Sequence, residues 1–192
     1  MLEFLHLNDV KRLCFVGGLK SLINLRKLEI VGFDEILQSF EVQQEIERTS
    51  QQNRLLTSLH LDHSNTSTQR LPIPGRCGCL HFLLIKNSPV TLYTEGEENW
   101  FYQLTSLETL EFSNCRHLTR RPSTLALLTK LKKLSVKNCP LMFSLPEFSL
   151  PPYLTELYIT GCSDELAQRC LPDEGDDWWK ISHIPHIEIR SF

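Results

Sequence analysis

The chain has 192 residues and a formal net charge of −3, from 20 Lys plus Arg against 23 Asp plus Glu. The length fits one domain, and the charge argues against nucleic-acid binding by bulk attraction. Apolar residues make up 41% and charged residues 22%, which is globular and not disordered.

Leucine dominates the composition. There are 34 in the chain, roughly twice ordinary usage. No apolar run reaches the ~18 residues of a membrane span. Met1 to Val16 carries Glu3, Asp9, Lys11 and Arg12 inside its apolar pattern, so it does not read as a signal peptide. Seven cysteines form no secreted-domain framework. The expectation is a reducing compartment with free thiols, cytoplasmic or nucleo-cytoplasmic.

In chain order, one pattern recurs eight times: L-x-x-L-x-L, with Ile, Val or Phe allowed. It starts with Leu2, Leu5, Leu7 and Leu25, Leu28, Ile30. Asp34 to Asn53 then interrupts as a polar insertion. Its Ile36, Leu37, Phe40 and Ile46 sit at helical spacing and predict a helix and loop on the outer side. The pattern resumes with Leu56, Leu59, Leu61; Leu80, Leu83, Ile85; Leu107, Leu110, Phe112; and Leu131, Leu134, Val136. It closes with Leu154, Leu157, Ile159 and Ile184, Ile187, Ile189. The middle positions lie 23, 31, 24, 27, 24, 23 and 30 residues apart. Leucine-rich repeats run about 20–29 residues, so the longer intervals need insertions.

Two further columns fix the register. After each short strand stand Asp9, Gly32, His63, Asn87, Asn114, Asn138 and Gly161. All but His63 tolerate a left-handed turn. The next column holds Val10, Phe33, Ser64, Ser88, Cys115, Cys139 and Cys162, the buried ladder position of such repeats.

The predicted fold class is therefore α/β. It is a leucine-rich-repeat horseshoe with a short-stranded parallel sheet on the concave face and an irregular, short-helical convex side. Residues 1–192 form a single domain of about eight repeats, with a helical insertion at about 34–53 and a C-terminal cap at about 171–192. Trp178 and Trp179 are expected to cover the open end of the core. The first repeat has no such cap, so the expectation is a piece of a longer chain or a truncated product.

Strand side chains alternate, so the x positions face solvent on the concave side. They begin with Phe4, His6, Asn8, Lys27, Glu29 and Val31, and end with His186, Glu188 and Arg190. The candidate binding residues lie between. They are Ser58, His60, Asp62, Phe82, Leu84, Lys86, Thr109, Glu111 and Ser113, then Lys133, Ser135, Lys137, Glu156, Tyr158 and Thr160. A second candidate is a basic dock of Arg116, Arg120, Arg121, Lys130, Lys132 and Lys133 for an acidic domain, with His117 and Lys137 nearby. Glu95, Glu97 and Glu98, and later Asp173, Glu174, Asp176 and Asp177, stand opposite it in charge.

Catalytic and metal chemistry find little support. There is no G-x-S-x-G elbow and no G-x-x-x-x-G-K-[ST] phosphate loop. Cys77, Cys79 and His81, with His60 and His63 one repeat earlier, lack the second C-x-x-C of a structural zinc site. The chain is expected to be no enzyme, with no cofactor, no metal and no nucleic-acid partner.

Leu131-Lys-Lys-Leu-Ser-Val-Lys-Asn-Cys-Pro140 with Ser144-Leu-Pro146 resembles the repeats of plant coiled-coil nucleotide-binding leucine-rich-repeat immune receptors. Leu150 to Cys162, and Asp177-Trp-Trp-Lys-Ile-Ser-His-Ile-Pro-His-Ile-Glu-Ile189, resemble the typical close of that family, W-x-K-I-x-H-I-P-x-I-x-I. Arg120-Arg121 depart from it, standing where the family usually has a leucine before proline. The resemblance implies a recognition or autoinhibitory module without its own nucleotide-binding domain. Its partner would be a pathogen effector, a guarded host protein or the nucleotide-binding domain of a parent receptor. The alternatives are the substrate-adaptor repeats of F-box ubiquitin-ligase proteins, or a non-functional remnant.

Overall fold

The computed structural model describes residues 2–9, 24–32, 56–64, 78–120, 122–145 and 150–191. The predicted insertion at 34–53 and Arg121 lie outside these residues.

Eight strands form one parallel sheet in chain order: β1 Phe4–Asn8, β2 Lys27–Val31, β3 Ser58–Asp62, β4 Phe82–Lys86, β5 Thr109–Ser113, β6 Lys133–Lys137, β7 Glu156–Cys162 and β8 His186–Ser191. Each pairs with the next, and the sheet stays open, consistent with a repeat solenoid. The register follows the sequence pattern: Leu5, Leu28, Leu59, Leu83, Leu110, Leu134, Leu157 and Ile187 stand in one row. From β2 to β7 this row is buried, because each coil covers its neighbour's aliphatics. At the two ends Leu5, Leu7, Ile187 and Ile189 are only partly buried.

The predicted left-handed turns occur at Asp9, Gly32, Asn87, Asn114, Asn138 and Gly161, all with φ between 53 and 65°. His63 does not join them, and its coil turns by another device. The Asp62 carboxylate accepts from the Ser64 N–H at 2.9 Å and the Ser64 hydroxyl at 2.6 Å. Asn87 of the following coil reaches back to the same oxygen at 2.8 Å. This is an Asx-type turn, which lets a non-glycine, non-asparagine residue stand at the bend. Beneath the turns Ser88, Cys115, Cys139 and Cys162 are buried as a ladder. A hydrogen bond with the Cys139 thiol holds the Cys115 thiol below its ordinary pKa, against the opposing effect of burial.

Helical segments connect the strands on the other face. Helix α1, Glu95–Gln103, opens with a capping box in which Thr94 and Glu97 satisfy each other's backbone N–H groups. It buries Trp100 and Phe101. The Glu98 carboxylate accepts from the Ser123 and Thr124 N–H groups at 2.9 and 3.1 Å, capping the 3-10 helix Ser123–Leu127. Glu97 and Glu98 are thus spent on helix ends rather than facing the basic cluster.

Helices α2, Asp164–Arg169, and α3, Trp178–Ile181, precede β8. The expectation that two tryptophans cover the core needs correction. Trp178 packs against it, whereas Trp179 is 60% exposed, with the Lys180 ammonium 5.6 Å from its ring centre. Adjacent residues on a short helix point in different directions, so only one can turn inward.

Candidate functional site

The open face of the sheet carries all fifteen candidate residues, on β3 to β7. The midline row runs His6, Glu29, His60, Leu84, Glu111, Ser135, Tyr158, Glu188. Parallel pairing puts like positions of successive coils side by side, so the face reads as columns of repeats.

Charge on this face is matched locally. Lys133 Nζ lies 2.9 Å from Glu156, its direct partner across β6 and β7. Lys86 lies 3.3 Å from Asp62, its partner across β3 and β4. Lys137 lies 2.9 Å from Glu111, one step diagonal. Lys27 and Arg190 pair along their own strands with Glu29 and Glu188, at 4.0 and 3.1 Å. Five cations meet five carboxylates, so these strand residues sum to zero with histidine neutral. The Lys133 pairing raises the ammonium's pKa and lowers that of the Glu156 carboxyl. Such exposed pairs contribute only about 0–1 kcal/mol each.

Asp62 serves the fold more than the surface. Burial pushes its carboxyl up, but hydrogen bonds from Ser64, Asn87 and Lys86 together outweigh this and hold it below its ordinary pKa. Glu29 stands between two imidazoles, 3.4 Å from His6 Nδ1 and 3.9 Å from His60 Nδ1. Burial and Lys27 keep the His60 pKa below its ordinary value, against the pull of Glu29 and Glu111.

The apolar ground lies at mid-sheet. Phe82 and Leu84 of β4 are half-buried, and the His60 ring lies 5.1 Å from that of Phe82. Tyr158 makes a second point, between the Lys133 ammonium at 4.5 Å and the His186 ring at 6.3 Å. Ser135 differs from expectation. It faces the open side yet is 1% exposed, and among the described residues its hydroxyl has no hydrogen-bond partner. The short side chain stands between Glu111 and Tyr158 in its row and between Lys133 and Lys137 along its strand, all of them longer residues.

The described basic-dock residues fall into two groups along the chain. Lys130 and Lys132 precede β6, whereas Arg116 and Arg120 follow β5. Lys132 is tied to Glu108 at 3.0 Å, and Lys133 to Glu156. Among the described residues no group of three or more His, Cys, Asp or Glu side chains is arranged to hold a metal ion. No helix among them is long and apolar enough to cross a membrane.

No protein-family model matches the chain. Over 56 residues it is 38% identical to "Putative disease resistance protein RGA4" of Solanum bulbocastanum. The match covers 29% of this chain, which spans 6% of that protein's length. A stretch of the chain is thus similar to part of a plant disease resistance protein.

Proposed function

We propose that the chain is a leucine-rich-repeat horseshoe that recognises proteins, in the setting of a plant intracellular immune receptor. Its concave face meets a pathogen effector, a guarded host protein or the nucleotide-binding domain of a parent receptor, in the cytoplasm. It carries out no catalysis of its own. The observation that supports this best is the open face itself: an apolar centre at Phe82 and Leu84 inside a rim of self-matched charges. That is the anatomy of an interface, with an apolar anchor and a polar surround. The partial likeness to a disease resistance protein supports the setting.

A photo-crosslinking amino acid at position 84, in the chain expressed in plant cells, tests the reading. A discrete protein adduct should form from position 84 and not from the exposed position 127 on the opposite side. Equal adducts from both positions, or none from 84, would count against it.

A further inference from the structure

We infer that the turn following β5, with Arg116, His117 and Arg120, is a docking point for an acidic protein segment. This deepens the recognition reading and rests on it.

Every cation on the open face has a carboxylate within 4.0 Å. Lys132, before β6, is likewise tied to Glu108. Arg116 and Arg120 stand apart from this rule: both are exposed, they fall within five residues, and among the described residues neither takes part in an ion pair, with the exposed His117 between them. Unmatched charges of one sign, close together, set up an attractive field for the opposite sign.

The turn that carries them is anchored. Cys115 and Leu118 are fully buried on either side of Arg116 and His117. The Arg116 N–H donates to the Asn114 carbonyl at 3.0 Å. Thr119 donates from both its N–H and its hydroxyl to the Thr91 carbonyl, at 3.2 and 3.1 Å. The cations are thus presented from a fixed backbone, which lowers the ordering cost of binding.

A five-residue strand separates this turn from Lys130 and Lys132, a distance of about 16 Å at the usual rise. That exceeds the ~10 Å screening length at 0.1 M salt. The two ends of the coil therefore act as separate electrostatic sites.

The ligand chemistry is a cluster of Asp and Glu carboxylates. Two guanidinium forks match planar carboxylates in bidentate fashion. A nucleic acid fits less well. A protein held on nucleic acid by charge commonly makes about 6–10 phosphate contacts, and here two guanidiniums sit on a chain of net charge −3.

The test uses a fluorescent eight-residue poly-glutamate peptide and, as competitor, a single-stranded oligothymidine. Binding to the whole chain is read by anisotropy at about 0.1 M salt. The variants R116Q/R120Q and K132Q/K133Q change net charge equally, so only position differs. The first should weaken peptide binding about 10-fold or more, the second less than about 2-fold. R116K/R120K keeps the charge but loses the fork, so it should bind more tightly than R116Q/R120Q and more weakly than the parent, and a thermal melt of each variant should match the parent. The oligonucleotide should not compete.

Equal losses in the two glutamine variants would show bulk charge only and overturn the inference. So would a parent chain that does not bind the peptide, or an oligonucleotide that displaces it. If peptide binding fails while the adduct at position 84 forms, only the docking point falls. If the adduct fails while the peptide binds at Arg116 and Arg120, the concave-face reading falls instead.

Discussion

Arg169 grips Asp177 with two parallel contacts, Nε to Oδ2 and Nη2 to Oδ1, both at 3.0 Å. The carboxylate is 0% exposed. It also takes the Lys180 ammonium at 2.7 Å and the Leu145 N–H at 3.1 Å. One side chain thereby ties α2, α3 and the coil that carries Leu145 into one closing structure. Burial pushes its pKa up, but Arg169, Lys180 and Leu145 together hold it below the ordinary value.

Replacing Asp177 by Asn should destabilise the protein. Breaking a buried pair costs about 3–5 kcal/mol, and the lower end applies because Arg169 is 32% exposed on its side chain. The pH dependence has a definite sign. A depressed folded pKa stabilises above the ordinary carboxylate value, and that stability is lost as pH falls through the folded value. Urea midpoints of the parent should therefore drop progressively as pH falls below about 5. Asp177→Asn should show a shallower drop, the remainder coming from Asp62, Glu108 and Glu156, whose pKa values are also lowered. Parallel profiles would remove Asp177 from this role.

Two glycines should respond in opposite directions. A Cβ on Gly175 would run into the Arg169 carbonyl and the Leu171 N–H, all backbone, so Gly175→Ala must shift the chain beside Asp177. A cost of about 2 kcal/mol or more is expected. Gly96 lies in α1 with nothing near its missing Cβ. There Gly→Ala should stabilise by about 0.5–1 kcal/mol. Differential scanning calorimetry of the two variants checks the contrast, which a shared sign would contradict.

Much of the sheet is readable from the leucine pattern, because period-two alternation and coil-on-coil burial leave few choices. The x positions fall on the open face for the same reason. The left-handed column is equally legible, since Asn, Asp and Gly mark a backbone conformation and not a packing detail. What the pattern hides is cross-coil side-chain pairing. Lys133 and Glu156 share one repeat position and could have been matched by aligning repeats. Lys137 with Glu111 is diagonal, and no column reveals it. Asp62 looks like a surface acid until the missing left-handed residue at 63 is noticed. Asp177 looks like part of an acidic loop, because its partner Arg169 lies on α2, eight residues away. Helix α1 is hidden too: its Glu-rich start reads as a charge run, although Thr94 with Glu97 is a capping signature.

The inward and outward assignment makes its own prediction. Leu134 is fully buried in the aliphatic row. Leu134→Asp places an unpaired charge there and should cost more than about 4 kcal/mol, enough to prevent folding. Glu111 faces out and loses only its pair with Lys137. Glu111→Ala should cost under about 1 kcal/mol. Thermal melts followed by circular dichroism compare the two, and similar losses would mean the faces are reversed.

Ser135 separates stability from binding. Its hydroxyl is buried without a partner among the described residues, so the folded state carries a desolvation cost of about 1–3 kcal/mol. Alanine keeps the small size and removes that cost. Ser135→Ala should therefore melt at the same temperature or a few degrees higher. If a binding partner parts Lys133 and Lys137 and reaches the hydroxyl, the same substitution should reduce the crosslinking yield from position 84. A clear drop in melting temperature would show instead that the hydroxyl is bonded in the free protein and that its burial is structural.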